Sequence, residues 1–222
     1  MTTTAEPLIE VRDLRHDIAG RCVMAAPAFT ALRGEHTLLL GPSGSGKTTL
    51  INVITGLITP SSGHVKIDGT TMSALPAAQR DQLRRRTIGV VFQTLRLIGA
   101  LSVRQNLALA QTLALGRSDS ALIDRLIAQV GLTHRADARP RELSQGEGQR
   151  AAIARALCAQ PALVVADEPT SALDDANAVA MADLLLETAN ATGATLLIAT
   201  HDNRLKARFS RTFTLAAPGV TA

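Results

Sequence analysis

A glycine-rich loop between an apolar segment and a helix-forming segment is the strongest constraint on this chain. Residues 41–48 read GPSGSGKT, which follows the pattern G-x-x-x-x-G-K-[ST]. The run TLLL precedes the loop at 37–40, and helix-forming residues follow it at 48–54. Glycines let successive backbone N–H groups point inward at phosphate oxygens, and the new helix directs its positive dipole end at the same anion. The sequence therefore predicts a phosphate-binding loop. A chance Gly/Ser-rich loop is the alternative, and the register of Lys47 and Thr48 weighs against it.

Two acidic residues end a second apolar segment. The run PALVVA at 161–166 leads into Asp167 and Glu168, and such continuous runs are typical of buried parallel strands. Ligands of open α/β sheets bind beyond the carboxyl ends of the strands, so both acids are expected to face the phosphate loop. Lys47 would serve the β- and γ-phosphates, and Thr48 would offer a hydroxyl to Mg²⁺. Asp167 would reach Mg²⁺ through water, and Glu168 would act as a general base or position the attacking water. The alternative is an exposed acidic pair that only ends a strand.

A third segment places a turn before a helix. Residues 143–150 read LSQGEGQR and continue into the helix-forming stretch 151–157. Ser144 and the amides near Gly146 lie just before the predicted helix N-terminus, which makes a second anion site. The alternative is a simple helix cap, and capping is expected of Ser144 in either case.

With these segments the chain resembles, over nearly its whole length, the ATPase subunit of ABC transporters. Five motifs occur in the family's order: the phosphate loop, Gln93 as the Q-loop, LSQGEGQR as the signature, ADEPTSALD as Walker B with the D-loop, and His201 as the switch histidine. The resemblance implies ATP and Mg²⁺ as ligands. It implies catalytic roles for Glu168, His201 and Gln93, and a metal site at Thr48, Gln93 and Asp167. The nucleotide contacts that it implies are Gly41, Pro42, Ser43, Gly44, Ser45, Gly46, Lys47, Thr48, Thr49, Ser144, Gly146 and Glu147.

The resemblance also implies partners. Two subunits would form a head-to-tail dimer, as a homodimer or with a paired ATPase subunit, so that the phosphate loop of one and Ser144 and Gly146 of the other enclose each ATP. Gln93 would pass movement through residues 94–100 to a separate integral membrane permease. The segments 84–93 and 131–136 look like the lipoprotein-releasing and macrolide-export branch, and we expect no C-terminal regulatory domain. The alternative is a soluble ABC ATPase in an assembly or regulatory complex of the iron–sulfur or divisome type.

Two departures from the family pattern stand out. The signature has Gln145 where a glycine is usual, and Gly148 follows it, although Gly near a helix start costs up to ~1 kcal/mol relative to Ala. The family commonly stacks an aromatic residue on adenine, whereas this chain has no Tyr and no Trp, and Ile18 or His16 takes that place. Base–aromatic stacking is worth about 1–3 kcal/mol per base in nucleic-acid systems. We therefore expect the phosphate contacts to dominate nucleotide affinity.

Composition sets the compartment and excludes one class of partner. The net charge is +4, and the densest basic run, Arg84–Arg86, has no interleaved aromatics, so we expect no nucleic acid partner. That run is either a solvated helix face, which we favour, or a surface for membrane headgroups or an acidic partner. Cys22 and Cys158 lie far apart, without the spacing of a metal site. The first residues lack the features of a signal peptide. No apolar run reaches the ~20 residues that are needed to span a bilayer. The expected location is the cytoplasm, peripheral on the cytoplasmic face of the cell membrane.

Alternating strand and helix patterns predict an α/β fold with a parallel sheet core. Strands are expected at 8–11, 29–32, 38–41, 64–68, 88–92 and 195–199, and helices at 103–115, 120–130 and 174–191. In family terms this is a P-loop NTPase fold with an N-terminal antiparallel β part and a helical subdomain that carries the signature. We expect one ATP-binding domain over 8–222, with the helical subdomain at about 94–139.

Overall fold

A computed structural model describes residues 7–171 and 173–216. Their strands are β1 (Pro7–Ile18), β2 (Arg21–Ala26), β3 (Phe29–Leu32), β4 (Thr37–Leu40), β5 (Ser62–Ile67), β6 (Thr70–Thr71), β7 (Ile88–Val91), β8 (Leu163–Asp167), β9 (Thr195–Thr200) and β10 (Arg211–Thr214). Their α-helices are α1 (Lys47–Ile54), α2 (Ala77–Thr87), α3 (Val103–Leu115), α4 (Ser120–Gln129), α5 (Gln145–Leu157) and α6 (Asp175–Thr192).

The central sheet is parallel, which confirms the predicted fold class. Its strand order is β10-β4-β9-β8-β7, and every neighbouring pair in it is parallel. Both β4 and β8 consist entirely of buried residues, because helices or a second sheet cover the two faces of a parallel sheet. The carboxyl ends of β4, β8 and β9 therefore lie side by side at one edge.

A second, antiparallel sheet contains the N-terminal strands. Its order is β2-β1-β5-β6, with β3 paired to β1. Strand β1 runs for 12 residues, well beyond the expected 8–11, and pairs with β2, which we did not expect. The turn between them is formed by Ala19 and Gly20, both at positive φ. Such two-residue hairpin turns usually contain Asn-Gly or Asp-Gly, so Ala-Gly gave little signal in the sequence.

Two apolar cores lie on opposite faces of the parallel sheet. Successive residues of a strand point to opposite faces, so Leu39 packs with α1 and the antiparallel sheet. Leu38 and Leu40 instead pack with α3 to α6. Burying one leucine side chain is worth about 1.5–3 kcal/mol. This arrangement fixes α1, and hence the end of the phosphate loop, between the two sheets.

The helices agree closely with the sequence periodicity. Helix α3 has the expected bounds, α4 ends one residue before the expected 130, and α6 begins and ends one residue later than the expected 174–191. Helices α3 and α4 fall in the stretch 94–139 where we expect the helical subdomain, while residues 217–222 of the expected domain lie outside the described part. Arg84–Arg86 form the last turn of α2, where Arg84 bonds Asp81 at 2.7 Å and Arg85 and Arg86 are exposed. Across the described residues, no helix is both long and apolar enough to cross a bilayer.

Candidate functional site

The phosphate loop turns sharply from β4 into α1. Gly46 is the N-cap of α1 at φ 92°, and a Cβ on it would come within 2.9 Å of both the Met24 Cβ and the Val23 carbonyl. Only glycine fits there, because the position is both left-handed and crowded. No side chain caps α1, so its first backbone N–H groups are open to an anion.

Lys47 lies under the loop, where its side chain is only 6% exposed. Its Nζ donates to the carbonyls of Gly41 at 2.8 Å and Pro42 at 3.1 Å, and it lies 3.3 Å from Glu168 Oε1. A buried ammonium requires such partners, since an unpaired buried charge is costly. Lys47 is therefore a preorganised cation at the base of the loop.

Glu168 follows directly after β8, in the left-handed region at φ 49°. Its backbone N–H bonds Ala199 at 2.8 Å, and its carboxylate accepts from Thr200 at 3.0 Å. His201 Nδ1 lies 3.1 and 3.0 Å from the two carboxylate oxygens. Burial pushes the pKa of Glu168 upward, but the His201 and Thr200 hydrogen bonds and the Lys47 charge together lower it below its ordinary value. Glu168 is thus held as a carboxylate beside Lys47.

Asp167 tests whether the site fits a hydrated Mg²⁺. Its Oδ1 is buried and has no hydrogen-bond partner, which is a rare and costly state for a carboxylate unless a ligand completes it. Burial raises the pKa of Asp167, with a further rise from the Glu168 charge, against the opposing effects of Thr48 and Lys47. Within the described residues, no cluster of three His, Cys, Asp or Glu could hold a metal alone. Mg²⁺ commonly binds one or two carboxylates together with substrate phosphates, so Asp167 and Thr48 fit.

Nine of the predicted site residues line one cleft of about 420 Å³, whereas Gly41, Pro42, Ser45 and Asp167 are not part of its lining. Loop residues line it together with three side chains from other segments, Gln93, Glu168 and His201. Sequence reasoning missed two further residues of the lining, Val23 on β2 and Ser171 after the acids. The loop contributes Ser43, Gly44, Gly46, Lys47, Thr48 and Thr49 to the cleft wall.

The signature segment lies at a different cleft. Ser144, Gln145 and Gly146 line a cavity of about 750 Å³, and among the described residues the two cavities share no lining residue. Ser144 is the N-cap of α5 and accepts a hydrogen bond from the Glu147 backbone N–H at 3.3 Å. One chain therefore presents the phosphate loop and the signature at separate surfaces.

Glu147 has its carboxylate turned towards its own helix end. One oxygen accepts from the Ser144 N–H at 2.7 Å and the other from Arg135 at 3.0 Å. Hydrogen bonds from Ser144, with a further contribution from Arg135, lower the pKa of Glu147 to about 2. Gly148 is buried on the same helix, and a Cβ on it would meet Leu95 Cδ1 at 2.5 Å. The unusual glycine therefore lets the segment after Gln93 approach α5 closely.

The two candidates for the adenine contact lie on β1. Ile18 is 59% exposed at the hairpin end, and His16 is half-buried with an Nδ1 that has no hydrogen-bond partner. Phe29 offers no aromatic face to a base, because it is buried and its ring stacks on Phe213 at 4.7 Å. Phe29 is therefore occupied by the core.

Comparisons with known proteins agree with this geometry. The family model described as ABC transporter matches residues 26–171, about two thirds of the chain. The dimeric structure of MJ0796, a bacterial ABC transporter cassette, has 29% sequence identity and a TM-score of 0.83, covering 94% of each chain. A dimeric post-hydrolysis state of the same cassette, bound to ADP and Pi, has 28% sequence identity and a TM-score of 0.84. The match covers 95% of this chain and 96% of that chain. CbiO1 from Clostridium perfringens, part of the ABC transporter complex CbiONQ, also has 28% sequence identity and a TM-score of 0.84. The match covers 95% of this chain and 85% of that chain.

Proposed function

Because the chain belongs to the ABC transporter family, we propose that it is an ATPase subunit that hydrolyses ATP as a head-to-tail dimer and powers a separate membrane permease. The observation that carries this proposal is the convergence of Lys47, Glu168 and His201 on one cleft, with Ser144 at another. A cleft with only half of the expected phosphate contacts suits a site that a second subunit completes.

Phosphate binding follows from the open α1 N-terminus and from Lys47. The β- and γ-phosphates would accept from the free N–H groups of the loop and from the Lys47 ammonium. Lys47 is already desolvated and positioned by two carbonyls and Glu168 Oε1, and an incoming phosphate would take the place of one of these acceptors. Thr48, Asp167 and Gln93 would hold Mg²⁺, which when bound neutralises charge between the β- and γ-phosphates.

Hydrolysis requires a water oriented to attack the γ-phosphorus in line with the departing ADP oxygen. Glu168 is ionised, lies 3.3 Å from Lys47, and can accept a hydrogen bond from that water. His201 contacts the same carboxylate and is about half exposed, so it can turn to the γ-phosphate when nucleotide fills the cleft. Loss of the γ-phosphate would release the second subunit, which is a switch of the order-and-release type.

Two substitutions test the chemistry. Glu168→Gln should retain ATP binding and lose turnover, because the phosphate cradle stays intact while the basic oxygen is gone. Lys47→Ala should lose both, since the cradle loses its only buried cation. Nucleotide binding and phosphate release measured on both variants and on the wild type decide the matter. Turnover near the wild-type rate in Glu168→Gln would remove Glu168 from the catalytic role.

Coupling to a permease is tested separately. A transport ATPase from a native membrane extract should co-purify with a polytopic membrane protein, and nucleotide state should change the yield. Co-purification with soluble assembly factors alone would favour the assembly or regulatory function instead. The branch of lipoprotein release and macrolide export remains our prediction for the permease type, based on the segments 84–93 and 131–136.

A further inference from the structure

We infer that Thr200 is a positioning residue for Glu168 in ATP hydrolysis, an inference that rests on the proposed function. Thr200 is the last residue of β9 and is completely buried. Its Oγ1 donates to Glu168 Oε2 at 3.0 Å and accepts from the Asp202 backbone N–H at 3.0 Å. The N–H of Asp202 occupies a lone pair of the hydroxyl, so the single hydroxyl hydrogen is directed at the carboxylate.

The hydroxyl fixes which carboxylate oxygen faces the phosphate loop. Glu168 Oε2 is bound by Thr200, which leaves Oε1 facing Lys47 Nζ at 3.3 Å. The backbone of Glu168 is also attached to β9, through its N–H bond to Ala199. Strand β9 thus holds both the backbone and the side chain of a residue in the left-handed region, which is unfavourable for an L-amino acid.

The other partners of Glu168 are also groups that bind nucleotide in the proposed function. Lys47 lies in the phosphate loop, and the His201 side chain is 53% exposed at the cleft. Both have reason to turn towards an incoming γ-phosphate. Thr200 has no exposed surface and is absent from the cleft wall, so its bond to Glu168 persists when the cleft is filled. It is therefore the partner that keeps the carboxylate oriented during the reaction.

The test uses the full chain and the near-isosteric variant Thr200→Val. Steady-state ATPase should show kcat lowered by about ten- to a hundredfold, the range that hydrogen bonds to charged groups span. The KM for ATP should change by less than about twofold, because Thr200 does not touch the nucleotide. Thr200→Ser retains the hydroxyl and should restore kcat to near the wild-type value.

Thr195→Val is the matched control. Thr195 begins the same strand, is also buried, and its hydroxyl accepts from the Gly34 backbone N–H at 2.9 Å. The substitution removes a comparable hydrogen bond from β9 without touching Glu168, so kcat should stay close to wild type. Urea unfolding of both variants shows whether they are equally destabilised. If Thr200→Val does not fold, Thr200→Cys, with a weaker donor, should give an intermediate kcat.

A third arm separates this inference from the proposed function. In single-turnover experiments, Thr200→Val should cause no further loss in the Glu168→Gln background, because Thr200 acts through that carboxylate. Equal kcat losses in Thr200→Val and Thr195→Val, or a loss that multiplies with Glu168→Gln, would overturn the inference. Retained turnover in Glu168→Gln would instead contradict the proposed role of Glu168 itself.

Discussion

Lys47 and Glu168 contact each other in the cleft, with Nζ 3.3 Å from Oε1. The Lys47 ammonium has three protein acceptors, two loop carbonyls and Glu168 Oε1. An incoming phosphate would compete with these acceptors for the same three N–H donors. If Lys47 binds phosphate as proposed, this contact would link phosphate binding to the position of the Glu168 carboxylate.

The proposed adenine contact is the part of the site that departs most from the family pattern. Ile18 offers an aliphatic, largely exposed face, and the nearby strand β2 contributes Val23 to the cleft. Apolar contact does not read exocyclic groups of a base, so GTP should be hydrolysed within about tenfold of ATP. Ile18→Tyr should tighten nucleotide binding by on the order of 1 kcal/mol. Phosphate release with each nucleotide measures the first effect, and isothermal titration measures the second.

Leu32→Tyr is a suitable control for that substitution. Leu32 is 38% exposed at the end of β3 and does not line the cleft, so a tyrosine there should leave nucleotide affinity unchanged. A strong ATP preference in the wild type, with no gain from Ile18→Tyr, would place the adenine contact elsewhere, and His16 would be the next residue to substitute.

Some site residues can be predicted from local sequence motifs, and others cannot. Lys47 and Glu168 belong to contiguous patterns whose spacing carries the chemistry. Thr200 and Val23 reach the site only through strand pairing, since Asp167 lies opposite Ala199 in the sheet register and β2 returns along β1. No local pattern encodes such register. The position of Thr200, at a strand end directly before His201, was nevertheless a usable signal.

At the scale of elements, the buried strands and long helices follow from periodicity. Helix α3 begins at a Ser102 capping box and ends at Gly116, both of which are visible in the sequence. Strands β2 and β10 were missed because they are short and half-exposed, so they lack both a continuous apolar run and a strict alternation. Both strands lie at an edge of their sheet, where only one neighbouring strand covers them, so their side chains are less buried.

The N-terminus of α5 gives a prediction for pH. The pKa of Glu147 falls from 4.5 to about 2 in the folded chain. A lowered pKa means that the ionised group stabilises the fold above pH 4.5, and that this contribution is lost as the pH falls towards about 2. Urea unfolding should therefore show Glu147→Gln less stable than wild type at pH 7, with a difference that shrinks steadily below pH 4.5.

The partner of that carboxylate supplies the control. Arg135→Met removes the guanidinium that binds Glu147 at 3.0 Å and leaves the capping hydrogen bond from Ser144 in place. It should reproduce only part of the Glu147→Gln effect, with the same direction of pH dependence. A difference between wild type and Glu147→Gln that stays constant from pH 7 to the acid range would refute the prediction.

At the scale of the whole molecule, the two separate clefts of one chain are the basis of the proposed head-to-tail dimer. The phosphate loop is uncapped at α1, while Ser144 caps α5 at a cavity of its own. In the proposed dimer, a γ-phosphate held by Lys47 and the loop N–H groups would still be able to accept hydrogen bonds on the side away from the loop. A second subunit that presents Ser144 and Gly146 would cover that side, and two such contacts would form per dimer.

This arrangement predicts dimers that depend on the γ-phosphate. Glu168→Gln with ATP should migrate as a dimer in size-exclusion chromatography with light scattering, because slow hydrolysis preserves the γ-phosphate, whereas ADP should leave mostly monomer. Ser144→Arg on that background should abolish the dimer by placing a bulky side chain at the shared phosphate. Ser120→Arg adds the same charge at an exposed position at the start of α4, so it should leave the dimer intact. An ATP-bound dimer that survives Ser144→Arg would mean that the subunits meet through another surface, and the composite site would then have to be abandoned.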